Sequence, residues 1–139
     1  MIFIRTYYIF KIKKHYATIA EQKPYTIYKT IEDLYFLSKE DIEKKHNLFY
    51  QIFSKFDSNN LNNQIYNKYK DIYTYTKFQN IHQINDYFKS EKTKLIVNKR
   101  YLVIRTTKQI PTFFEDLHDK KNIFICDFNN KDYFWLNSI

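Results

Sequence analysis

Few residues of this chain could bind a metal or attack a substrate: four histidines and one cysteine. His15, His46, His82 and His118 match no ligand spacing. There is no His-Glu-x-x-His, and no cysteine stands within ligand reach of a histidine along the chain. Cys126 lies in the apolar run Asn122-Ile-Phe-Ile-Cys-Asp-Phe128, where a thiol is expected to pack as a small hydrophobe rather than act as a nucleophile. Asp116 and Asp119 frame His118, and Asp41/Glu43 and Glu115/Asp116 bring carboxylates together, but a solvated surface produces the same patterns. The complete lack of glycine excludes more. A P-loop, a Rossmann fingerprint and a Gly-x-Ser-x-Gly elbow each need glycine where the backbone turns sharply or meets a phosphate. The expectation is a protein that is not an enzyme and holds no cofactor, no metal and no small-molecule substrate.

Recognition is the chemistry that remains. The chain carries 23 basic and 15 acidic residues, a formal charge of +8, and 20% of it is aromatic. The charge is uneven: residues 1–24 carry five bases against one acid, and residues 89–108 seven against one. A basic surface is therefore expected near the first strand and on the hairpin from Lys94 to Arg105. An acidic partner protein or a phosphate backbone would suit it. Phe, Tyr, Met, Ile, Asn and Lys make up more than half of the chain, as the codons of an A/T-rich genome would dictate, so part of the positive charge reflects composition rather than function. Aromatics interleaved with Lys and Arg also suit single-stranded nucleic acid. A small basic single-strand binder is thus the alternative reading, although no RRM motif, zinc finger or GXXG loop is present.

The 139 residues suit one domain spanning 1–139. Residues 2–12 read as a strand with Tyr8, Phe10 and Ile12 on one face and Arg5 and Lys11 on a more polar one. Residues 13–21 suit a short helix presenting Tyr16, Ile19 and Ala20, and Pro24 ends or restarts it. Ile27, Ile31, Leu34 and Tyr35 have helical spacing. Ser38 with Asp41 forms a variant capping box for a helix running to about Lys55. Asp57-Ser-Asn-Asn60 reads as a turn. Leu61, Ile65, Tyr69 and Ile72 are spaced as a helix, and so are Ile81, Ile84 and Phe88. Lys94–Arg105 reads as a hairpin, Pro111 opens a short helix with Phe113, Phe114 and Leu117, and strands follow at 123–128 and 133–136. With no glycine, turns of positive φ are expected to fall to Asn and Asp. The order predicts an α+β fold: a largely antiparallel or mixed sheet of four to five strands packed with helices. One cysteine suggests a reducing compartment. The apolar start has Lys11, Lys13 and Lys14 on the wrong side for a signal peptide, and no run is long enough to span a membrane. A cytoplasmic location is expected.

The two ends of the chain resemble a known family. The closing segment shares the skeleton Asp127-Phe128-Asn129, Lys131, Tyr133 and Trp135-Leu136-Asn137 with the SirA family, the sporulation inhibitors of replication. The opening Tyr7-Tyr8-x-x-x-Ile12-Lys13-x-x-Tyr16-Ala17 is similar to that family's first strand and helix, and Phe113-Phe114-Glu115 also fits. The resemblance implies a bacterial inhibitor that binds the N-terminal domain of the replication initiator DnaA and blocks recruitment of replisome-loading partners. It implies contact through the helix after the first strand, at Lys13, Tyr16, Ala17 and Ala20. The family places two aromatics four residues apart on that helix; here the second position is Ala20. A further contact region falls at Asn47, Tyr50 and Gln51.

Overall fold

The computed structural model describes residues 4–36 and 42–139, taking positions 42, 43 and 45 by backbone alone. One antiparallel sheet organises these residues. Its strands are β1 (Arg5–Ile12), β2 (Phe53–Ser54), β3 (Tyr75–Phe78), β4 (Ile81–Asp86), β5 (Glu91–Val97), β6 (Leu102–Thr106), β7 (Ile123–Asp127) and β8 (Asp132–Trp135). Their spatial order is β3-β4-β5-β6-β1-β7-β8, with β2 paired to the end of β1. The helices are α1 (Lys14–Gln22), α2 (Pro24–Tyr35), α3 (Ile42–Ile52) and α4 (Ser58–Tyr69), with short 3₁₀ helices at Thr112–Leu117 and Leu136–Ser138. The α+β class and the antiparallel sheet agree with expectation. Four to five strands was too few, since the sheet has eight.

The additional strands are β2, β3 and β4. Ile81 and Ile84 are three apart, which fits a helix, but β4 buries His82 and Ile84 on one face and leaves Phe88 92% exposed in the following turn. Pairing to β3 on one side and β5 on the other satisfies its backbone. The flanking turns use Gln79 and Ser90 at φ 53° and 52°. Lys131 and Asn122 have positive φ as well, so of these four only Asn122 is the residue type expected there. Each departure costs on the order of 1 kcal/mol, which the paired strands must offset. Asp57-Ser-Asn-Asn60 is a helix start rather than a turn: the Asp57 carboxylate accepts the Asn60 amide at 3.2 Å and caps α4. Ile72 lies beyond that helix and is exposed. The capping box expected at Ser38 and Asp41 lies outside the described residues, and the third helix ends at Ile52 rather than near Lys55.

Helices lie on both faces of the sheet. On one, α4 and the 112–117 helix bury Leu61, Ile65, Tyr69, Phe113, Phe114 and Leu117 against Tyr7, Ile9, Leu95, Leu102 and Ile104. Tyr7 and Ile9, on the side of β1 expected to be polar, are therefore core, while Arg5 and Lys11 on that side stay partly exposed. On the other face, α1, α2 and α3 cover Phe10, Ile12, Phe124 and Cys126. Central β1 is buried from both sides, which explains its nearly unbroken apolar run. Pro24 restarts the helix as α2, where its fixed φ and missing amide hydrogen cost nothing at the first turn.

Candidate functional site

The α1 N-terminus breaks a local rule. Lys13 occupies its cap position with no side-chain hydrogen bond to the helix, and no acid stands in the first turn. Lys13 and Lys14 thus add positive charge to the end where the helix dipole is already positive. Such a conflict between local preference and sequence is typical of a surface kept for binding, and an acidic partner group would relieve it.

Lys13 joins this end to α3. Its backbone amide donates to the Ile52 carbonyl at 2.9 Å, and its Nζ donates to the Tyr50 carbonyl. Two stretches separated by more than thirty residues therefore meet, which brings Lys13 and Tyr50 onto one surface. The Tyr50 ring, 38% exposed, is held by cations. Arg100 donates from Nη2 to the Tyr50 hydroxyl at 2.6 Å, and its guanidinium carbon sits 4.8 Å from the ring centroid. The Lys55 ammonium lies 5.2 Å from the same centroid. Arg100 Nη1 also donates to His46 Nδ1. A ring fixed in this way loses little freedom on binding and suits an interface anchor.

Tyr16 is half-buried on α1. The His15 ring meets it edge-on at 5.1 Å, and the tyrosine packs against the core beneath the helices. Asn47 and Gln51 are exposed on α3. Ala17 and Ala20 are placed differently: they are 5% and 1% exposed and pack inward as the small residues that let α1 approach its neighbours. They are not at the surface, and the residue exposed on that part of α1 is Ile19, at 56%. The expectation that Tyr16, Ile19 and Ala20 share one side of the helix fails, because Ile19 is exposed while Ala20 is buried and Tyr16 half-buried. Arg100 and Lys55 were not singled out from sequence. Arg100 lies in a turn fifty residues from Tyr50, and only the basic composition of that hairpin hinted at a role. Beside this surface, between α2 and α3, runs an apolar groove of about 300 Å³ whose lining includes Phe10, Ile31, Leu34, Phe49 and Arg100.

The closing motif has a structural task. Asp127 is fully buried, accepts from Asn130 Nδ2 at 2.6 Å, and pairs with Arg5 at 3.5 Å. Phe128 stacks on Tyr35, Tyr133 stacks on Tyr28 with centroids 4.7 Å apart, and Trp135 meets Phe124 edge-on. These contacts close the β7–β8 hairpin and dock it on α2. Cys126 is buried within the same layer, and burial pushes its thiol pKa up, away from the nucleophilic form. His82 is also buried, between Tyr75 Oη and Asn62 Oδ1, and burial lowers its pKa to about 4. Among the described residues no group of three or more His, Cys, Asp or Glu could hold a metal ion, and no helix is long and apolar enough to cross a membrane.

No individual curated protein matches the chain. The family model described as sporulation inhibitor of replication protein SirA matches residues 5–139, from the first residue of β1 to the last of the chain, and this protein therefore belongs to the SirA family of replication inhibitors.

Proposed function

We propose that this protein restrains the start of chromosome replication by binding the N-terminal domain of the initiator DnaA through the surface formed by α1 and α3. The partner and the contact regions follow what the family resemblance implies. The supporting observation is the Lys13–Tyr50 link, which makes one patch of two regions that the family pattern picks out separately. Tyr16 and Tyr50 supply amphipathic rings, Asn47 and Gln51 supply exposed amides, and Lys13, Lys14, Lys55 and Arg100 surround them with positive charge. The chemistry is occlusion: the patch covers a surface of the initiator that its loading partners need. Ala17 and Ala20 serve by setting the seat of α1, not by touching the partner.

Calorimetry with the isolated initiator domain tests the reading. One-to-one binding is expected, weakening as salt screens the cations. No heat and no co-elution at tens of micromolar, equivalent to about −6 kcal/mol, would overturn it.

A further inference from the structure

Helices α1–α3 cover only part of their side of the sheet. The core beneath them takes no residue from β3, β4 or β5. On this side the strand register orders the surface into rows. One row runs Thr76, Gln83, Lys94, Arg105 and Thr6 across five neighbouring strands. The next runs Phe78, Ile81, Ile96, Val103 and Tyr8. The first row is polar with two cations side by side. The second is apolar: Phe78 at its outer end is 71% exposed, Ile81 and Ile96 are half-buried, and Val103 is buried. Neither row contains a carboxylate. They lie about 7 Å apart, two residues along each strand. At β1 both rows enter a cleft of about 390 Å³ lined by Tyr8, Tyr35, Phe36 and Phe128 together with Arg105. Tyr35 and Phe128 stack there at 5.3 Å, and Phe36 is 64% exposed.

We propose that this half-sheet, which no described helix covers, binds a single strand of nucleic acid, with phosphates along the Lys94–Arg105 row and unpaired bases on the Phe78–Ile96 part of the apolar row and in the aromatic cleft. An acidic peptide would use the cations but leave the rings unmatched. A duplex would offer phosphates but keep its bases stacked inward. Only a single strand presents a charged backbone beside free π-faces. The site is distinct from the α1–α3 patch and does not depend on initiator binding.

Fluorescence anisotropy on the full chain tests it, with short oligothymidylate and oligouridylate as probes and a duplex and polyglutamate as competitors. Either single strand is expected to bind at least about tenfold tighter than the duplex or polyglutamate, the scale of one to two stacked bases. Two phosphate contacts give about sevenfold weaker binding between about 50 and 200 mM salt. Replacing both cations, Lys94→Gln with Arg105→Gln, should weaken binding about tenfold while leaving the melt and binding to the initiator domain unchanged. Phe78→Ala should weaken it several-fold, and Tyr16→Ala not at all. Equal binding of duplex or polyglutamate, no binding of either single strand, or a double variant that binds like the parent would overturn the proposal.

Discussion

The two faces of the sheet are packed to different ends. On the α4 face, Tyr7, Phe113, Phe114, Leu95 and Ile104 are each at most 1% exposed, and the buried polar groups have partners. Glu91 accepts from Thr93 and Thr112, Asp116 from Tyr69 and Lys68, and His82 lies between Tyr75 and Asn62. On the α1–α3 face many rings are only partly buried, among them Tyr8, Tyr16, Phe49, Tyr101 and Phe128, and the packing leaves an open groove and a cleft. The closed face supplies stability through dense apolar contact and satisfied polar groups. The open face gives up some of that density to keep aromatic and cationic side chains within reach of partners.

The sharpest test of that contrast is truncation on the closed face. Phe113 is fully buried, edge-on to Tyr69 at 5.6 Å. Phe113→Ala should destabilise the fold by about 4 kcal/mol in urea melts, whereas Phe49→Ala on the open face should cost less than half of that. Equal losses would erase the distinction.

Next in size is Tyr16→Ala. Removing a central aromatic anchor typically costs about 2 kcal/mol or more, roughly 30-fold in affinity. Because the ring is only half-buried, stability should fall by less than about 1 kcal/mol. A loss of affinity that merely follows the melting temperature would make Tyr16 a core residue.

Ala20→Tyr separates surface from core on the same helix. The family pattern has an aromatic at this position, but here the site is 1% exposed. Overpacking should cost about 2 kcal/mol in stability with no gain in affinity. A stable variant that binds more tightly would place Ala20 at the interface after all.

The smallest effect is on the closed face and depends on pH. Burial, with a lesser contribution from Lys77, lowers the His82 pKa from 6.5 to about 4. The unfolded chain therefore takes up this proton first as pH falls. The neutral ring's contribution is fully present above about pH 6.5 and is lost progressively toward about pH 4. Allowing for partial screening, the loss is on the order of 1–2 kcal/mol. His82→Gln should flatten the stability difference between these pH values; an unchanged slope in the variant would assign it to other groups.

The fold was legible in sequence where spacing was unambiguous. The Tyr8–Phe10–Ile12 stripe of β1, the apolar pair of runs in β5 and β6, and the Ile27–Ile31–Leu34 stripe of α2 each correspond to one element. The β3–β4 hairpin was not legible, because no glycine marks its turns and the positive-φ positions fall on Gln79 and Ser90 rather than on Asn or Asp. Without that signal, Ile81 and Ile84 fit a helix as well as a strand. Of the site, Tyr16 and Tyr50 could be named only through the family resemblance, since nothing in their local spacing separates an anchor from a core ring. Arg100 was out of reach because its contact with Tyr50 is tertiary, and the inward turn of Ala17 and Ala20 depends on where α2 and the sheet lie.

The most direct measurement is a nuclear magnetic resonance titration of the isotopically labelled chain with the unlabelled initiator domain. The account predicts that amide shifts concentrate at Lys13, Tyr16, Asn47, Tyr50 and Gln51, extend to Arg100, and leave α4 and the 112–117 helix unperturbed. Shifts centred on the α4 face, or no shifts at saturating concentrations of the domain, would contradict it.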